Sequence, residues 1–127
     1  YGVIDTQDAV VGNKSYDLAS LIDDVRFKTS KKLKKQVFEF YLNINKKELN
    51  LQKFKNDFDI LSVLRNLKII GIFTRLAKRD KKYNYLKFIP YTWKLIELRI
   101  SNNFLLKDLK IFLYKNFSKK IRNNNGN

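Results

Sequence analysis

The sequence predicts a mainly α fold with a short β-hairpin at the N-terminus. Three observations carry this expectation. The chain opens on a β-rich run, Tyr1-Gly2-Val3-Ile4, followed by the polar turn Asp5-Thr6-Gln7-Asp8 and a second apolar run, Ala9-Val10-Val11, closed by Gly12-Asn13. From about Thr29 onward, apolar residues recur every three or four positions almost to the end of the chain. Of the 127 residues 44% are hydrophobic and 31% charged, the balance of a chain that folds around a core.

The helices follow in order. Ser15 reads as an N-cap for a helix carrying Tyr16, Asp17, Leu18, Leu21 and Ile22. Residues 31–44 place Leu33, Val37, Phe40, Tyr41 and Ile44 at helical spacing, and Asn45-x-x-Glu48 resembles a capping box for the next helix. Residues 49–78 are apolar almost all round, which predicts a central helix buried on several sides. Gly71 within it predicts a close approach of a neighbouring helix, since glycine in a helix costs about 1 kcal/mol relative to alanine. Asp80-Lys81-Lys82 interrupts the pattern, and Pro90 marks the start of a helix with Trp93, Leu95, Ile96 and Ile100. A last helix is expected over residues 105–121, with Leu106, Leu109, Leu113, Phe117 and Ile121 on one face, and a frayed polar tail over residues 123–127.

Composition excludes several chemistries within this chain. There is no Cys and no His, so disulfides, thiol nucleophiles, Cys- or His-bound zinc and histidine acid–base catalysis are absent. No stretch approaches the roughly 20 apolar residues of a membrane-spanning helix. The chain starts at Tyr1 and holds no Met, and its opening looks like the interior of a buried strand, so a C-terminal piece of a longer protein is expected. The net charge is +15. Residues 1–24 carry five acids and one base, so the excess of positive charge lies wholly in the remainder. That charge, interleaved with aromatics, makes a basic helical nucleic-acid-binding module the alternative function. Two features weigh against it: 21 of the 27 bases are Lys rather than Arg, and the Lys, Asn, Ile, Phe and Tyr bias fits AT-rich codons. The basic segment from Lys107 to Arg122 also allows association with a membrane surface.

Two ordered blocks carry a family resemblance. Val3-Ile4-Asp5-Thr6-Gln7-Asp8-Ala9, then Gly12 and Tyr16-Asp17-Leu18-Ala19-Ser20-Leu21, resembles the metal-binding loop and following helix of the aminoglycoside phosphotransferase/choline kinase superfamily. Phe58-Asp59, Leu64-Arg65-Asn66-Leu67-Lys68, Gly71-Ile72-Phe73, Arg75-Leu76, Arg79-Asp80, Tyr85-Leu86 and Ile89-Pro90 resemble the helical region of its N-acetylmuramate/N-acetylglucosamine anomeric kinase branch. The resemblance implies that residues 1–122 are the helical part of the C-lobe of a protein-kinase-like fold. It implies a cytoplasmic, ATP- and Mg²⁺-dependent sugar kinase with an amino-sugar substrate.

By the same resemblance Asp5, at a strand end, is the Mg²⁺ ligand, in keeping with that ion's preference for one or two carboxylates plus phosphate oxygens. Asp8 is a candidate for loop support or a second metal, and Asp17 resembles the buried helix aspartate that braces the catalytic loop by hydrogen bonds. Asp59, Arg65 and Asn66 are polar exceptions on the central helix; facing solvent, forming buried pairs and lining a sugar cleft all remain open for them. Related sequences often carry Phe in place of Thr6 and His in place of Asn66. The superfamily's catalytic loop resembles His-x-Asp-x-x-x-x-Asn, and a chain without His cannot contain it. The catalytic base is therefore expected upstream of Tyr1, and these residues alone are expected to be inactive.

Overall fold

The computed structural model describes residues 11–124. Six α-helices run in the order α1 (Ser15–Ile22), α2 (Lys31–Asn45), α3 (Leu51–Asp80), α4 (Ile89–Ile100), α5 (Lys107–Asn116) and α6 (Lys119–Arg122), with short 3-10 turns before α4 and α5. The expected β-hairpin is corrected: among the described residues there is no strand. Val11, the last residue of the expected second strand, is fully exposed and irregular, and residues 1–10 lie outside the described residues. A lone two-stranded ribbon is marginal in water, and here the chain turns from Val11 straight into the cap of α1.

Caps explain where the helices begin. Ser15 is the first helical residue rather than the N-cap. Asn13 does the capping work, its Oδ1 accepting from the Ser15 backbone N at 3.0 Å and from Ser15 Oγ at 2.8 Å. Asn13 Nδ2 in turn donates to Asp57 Oδ2 at 2.7 Å and so ties α1 to α3. Ser30 caps α2 by accepting from Leu33 N. The expected capping box at Asn45 is not formed. Asn45 closes α2 by donating to Tyr41 O, and Asn50 caps α3 by accepting from Lys53 N at 3.0 Å. Lys81 ends α3 in the left-handed region at φ 57°, while Lys82 N closes onto Leu76 O. Pro90 lies in the first turn of α4, where its missing N–H costs nothing. The expected single C-terminal helix is broken at Phe117, and Ser118 recaps α6.

Helix α3 is the axis of the fold and serves two cores. Its first half packs Phe54 and Phe58 against Leu18, Ala19 and Ile22 of α1, with Phe38 and Tyr41 of α2 alongside. Phe38 lies 4.7 Å from Phe58 and Tyr41 stacks 5.5 Å from Phe54, centroid to centroid. From Val63 onward it packs Val63 and Phe73 in a larger core with Trp93, Ile96 and Ile100 of α4 and Leu113 of α5. Arg99 meets Asp59 near the start of α3 and Phe88 meets Phe73 further along, so α4 runs antiparallel to α3.

Two packing expectations change. In α2 the buried side is Lys34, Val37, Phe38, Tyr41 and Leu42, whereas Leu33, Phe40 and Ile44 are exposed. Two stripes at helical spacing overlap in that sequence, and the aromatic contacts to Phe54 and Phe58 select one of them. Gly71 is exposed, and a Cβ there would meet nothing within 4 Å, so no helix approaches it.

Candidate functional site

Between the two cores lies a buried polar seam organised by Asp23, the residue after α1. Asp23 is fully buried and every direction around its carboxylate is filled. Oδ1 accepts from Lys34 Nζ at 3.1 Å and from an Arg99 terminal nitrogen at 3.0 Å. Oδ2 accepts from Ser62 Oγ at 2.6 Å and from Arg99 Nε at 2.8 Å. The Arg99 pairing is the bidentate fork that arginine geometry favours. Its guanidinium also lies 4.7 Å over the Phe58 ring. Lys34, itself buried, donates a further bond to the Ile22 carbonyl. Burial opposes ionisation of Asp23, but Arg99, Ser62 and Lys34 outweigh it and hold the carboxyl below the ordinary aspartate range. Its carboxylate is thus favoured in the ionised form, and its four hydrogen bonds are all taken up by protein donors.

Asp59 sits on the other side of Arg99, 3.9 Å from the guanidinium, and is buried yet far less satisfied. Burial pushes its carboxyl up, against smaller opposing effects of Arg99, Asn103 and Lys55. Asp59 opens onto a cleft of about 330 Å³ between α2, α3 and α4, whose floor is Phe38 and Phe58. A second cleft of about 590 Å³, between the start of α2 and α4, shares Lys31, Lys34, Leu98 and Asn102 with the first. Tyr91 contributes a phenol there that burial, aided by Asp23, keeps neutral. Together the clefts form one trough lined by six bases and two acids. Lys34 and Arg99 are bound to Asp23 and Lys35 pairs with Glu39, whereas Lys31, Lys55 and Lys94 have no ion-pair partner among the described residues. Such a trough offers an apolar floor, a buried acceptor in Asp59, neutral groups on Ser101 and Asn102, and cationic walls. It suits a polar ring with an apolar face.

The sequence-expected residues divide accordingly. Asp5 and Asp8 lie outside the described residues. Asp17 stands exposed on the first turn of α1, with no hydrogen-bond partner among the described residues. Asp59 lines the trough. Arg65 and Asn66 turn toward the seam: Arg65 donates to the Asp23 backbone carbonyl at 3.5 Å, and buried Asn66 donates to Ser62 Oγ at 3.4 Å while its own Oδ1 has no partner. No group of three His, Cys, Asp or Glu among the described residues is placed to hold a metal ion, and Asp5 and Asp8 lie outside those residues.

Sequence reasoning overlooked Asp23, Arg99 and Lys34. A signal for the first was present, because Asp23 follows Ala19 by four residues and so continues the Ser15, Ala19 buried stripe of α1.

No protein-family model matches the chain, and no solved structure matches it with significance. Curated proteins do. An N-acetylmuramate/N-acetylglucosamine kinase of Caulobacter vibrioides is 34% identical over 97 residues, covering 76% of this chain and 26% of the relative. The protein of the same name from Pseudomonas aeruginosa is 29% identical over 113 residues, covering 85% and 33%. That from Neisseria meningitidis serogroup B is 35% identical over 94 residues, covering 70% and 28%. The chain thus spans about a quarter to a third of the length of these relatives. The chain is homologous to a stretch of the N-acetylmuramate/N-acetylglucosamine kinases.

Proposed function

We propose that the chain is the helical portion of an ATP- and Mg²⁺-dependent, cytoplasmic phosphotransferase that phosphorylates a hydroxyl of an amino sugar. The observation that carries this reading is the similarity to several sugar kinases of one name over 70% to 85% of the chain. The trough supports it with groups that sugars use: aromatic rings for the apolar face of the pyranose, and Asp59, Ser101 and Asn102 for its hydroxyl and acetamido groups.

In this reading Asp5 binds Mg²⁺ and Asp8 supports the loop or a second ion. Asp17, exposed on α1, accepts hydrogen bonds from a catalytic loop packed beside it. Mg²⁺ supplies charge neutralisation between nucleotide phosphates when bound. The catalytic base and the nucleotide site come from parts of a longer polypeptide, so these 127 residues alone transfer no phosphate.

A phosphotransfer assay tests the reading. A longer polypeptide joining this chain to a nucleotide-binding lobe and a His-x-Asp-x-x-x-x-Asn loop is expected to phosphorylate N-acetylglucosamine or N-acetylmuramate. Asp5→Asn within it is expected to lower kcat by about 100-fold or more. Undiminished turnover in that variant, or phosphotransfer by the 127 residues alone, contradicts the proposal.

A further inference from the structure

We infer that the outer face of α5, with the turn before it, binds the surface of an anionic lipid bilayer. The inference is independent of the sugar-kinase reading and concerns a part of the chain which that reading leaves unused. Helix α5 and its flanks are apolar on two sides. Leu106, Leu109, Leu113 and Phe117 pack into the larger core. Phe104, Leu105, Ile111 and Phe112 stand outside it and are 82%, 63%, 58% and 58% exposed. They form two rows, Phe104 with Ile111 and Leu105 with Phe112, because residues seven apart lie two turns along the same side of a helix. Large apolar side chains grouped on one exposed face mark an interaction surface.

Charge identifies the partner. After Glu97 the chain holds seven bases and one acid. The acid, Asp108, lies in the first turn of α5, where a helix N-terminus favours it. Arg99 belongs to the buried seam, and Arg122 is held by Glu97 and lies 4.4 Å over Tyr114, which fixes α6 beside α5. Lys107, Lys115, Lys119 and Lys120 are exposed and have no ion-pair partner among the described residues. Apolar rows that enter the headgroup layer, flanked by lysines that draw in anionic lipid, are the two requirements of an interfacial helix. A second copy of this chain fits the face worse, because self-pairing brings the same lysines together. The four apolar residues carry the inference, and the lysines choose the lipid. The exposed stripe Leu33, Phe40 and Ile44 of α2, with the Lys35–Glu39 pair beside it, is the internal comparison.

Flotation of the 127-residue chain with vesicles tests this, using phosphatidylcholine alone or mixed with about one third phosphatidylserine. The chain is expected to bind the anionic vesicles at least about tenfold more tightly than the neutral ones. The combined variant Phe104→Ser, Ile111→Ser, Phe112→Ser keeps every charge and should bind the anionic vesicles about tenfold more weakly. The combined variant Leu33→Ser, Phe40→Ser, Ile44→Ser should bind as the parent does. Phe112→Trp reads the same contact without removing it: anionic vesicles should shift emission of the new side chain to the blue, whereas the buried Trp93 of the parent should not respond. Absence of flotation with anionic vesicles overturns the inference. So does a serine variant of α5 that floats like the parent, which would reduce the binding to lysine adsorption, or an equal loss in the α2 variant. An unshifted Phe112→Trp spectrum overturns it as well. Self-association of the lipid-free chain that the α5 variant abolishes would assign the face to a second copy instead. None of these outcomes alters the sugar-kinase reading.

Discussion

The seam around Asp23 and the trough wall at Asp59 are built from the same materials and do opposite things. Each is a buried aspartate beside Arg99. Around Asp23 every lone pair is filled by Lys34, Ser62 and the arginine fork, so the charge locks α1, α2, α3 and α4 together. Around Asp59 the fork is turned away, the carboxyl is disfavoured by burial, and a cleft opens in front of it. Burial alone therefore does not decide what a carboxylate can do: Asp23 is closed off by its donors, whereas Asp59 faces a cavity.

The largest expected effect comes from breaking the closed side. Asp23→Asn leaves buried Lys34 without a counter-charge and half-buried Arg99 with Asp59 alone at 3.9 Å, and removing one partner of a buried ion pair costs about 3–5 kcal/mol. Urea unfolding followed by circular dichroism measures this; a loss below about 1 kcal/mol would erase the distinction between the two regions. Arg99→Lys keeps the charge and removes the fork. It is expected to cost about 1.5–3 kcal/mol, the worth of a hydrogen bond to a charged group.

Gly71→Ala sharpens the contrast from outside both regions. With nothing within 4 Å of the new Cβ, only helix propensity acts, and α3 should gain about 1 kcal/mol. Asp59→Asn is expected to change stability at neutral pH by less than about 1 kcal/mol, since Arg99 keeps its fork with Asp23.

The pH dependence separates the same two residues by sign. The folded-state pKa of Asp23 is lowered, so its contribution is complete above the unfolded aspartate pKa and disappears as pH falls through the folded value. That of Asp59 is raised, so its contribution is complete below the unfolded pKa and is lost as pH rises through the folded value. Stability profiles of Asp23→Asn and Asp59→Asn against the parent should therefore diverge in opposite directions on the acid side.

Much of this was legible in the sequence, and the failures have physical causes. The helical character, the long α3, the break at Asp80 to Lys82 and the start at Pro90 follow from local spacing and local steric rules, which sequence displays. The choice of the Phe38, Tyr41 stripe over Leu33, Phe40 and Ile44 depends on which partner aromatics lie across the groove, and spacing within α2 does not contain that. Asp17 and Asp23 show the same limit. The motif draws attention to Asp17, which is exposed, while Asp23 gains its importance from Arg99, 76 residues away. Asp59 stands out in the sequence as a polar exception on an apolar rod, and it lines the cleft between α2, α3 and α4.

The most direct test follows both carboxyl groups at once by carbon-detected NMR titration of the selectively labelled chain, with and without N-acetylmuramate. The account predicts that Asp23 titrates below the ordinary aspartate range and ignores the sugar, while Asp59 titrates above it and shifts when the sugar binds. A sugar-induced shift at Asp23 with none at Asp59 would contradict it.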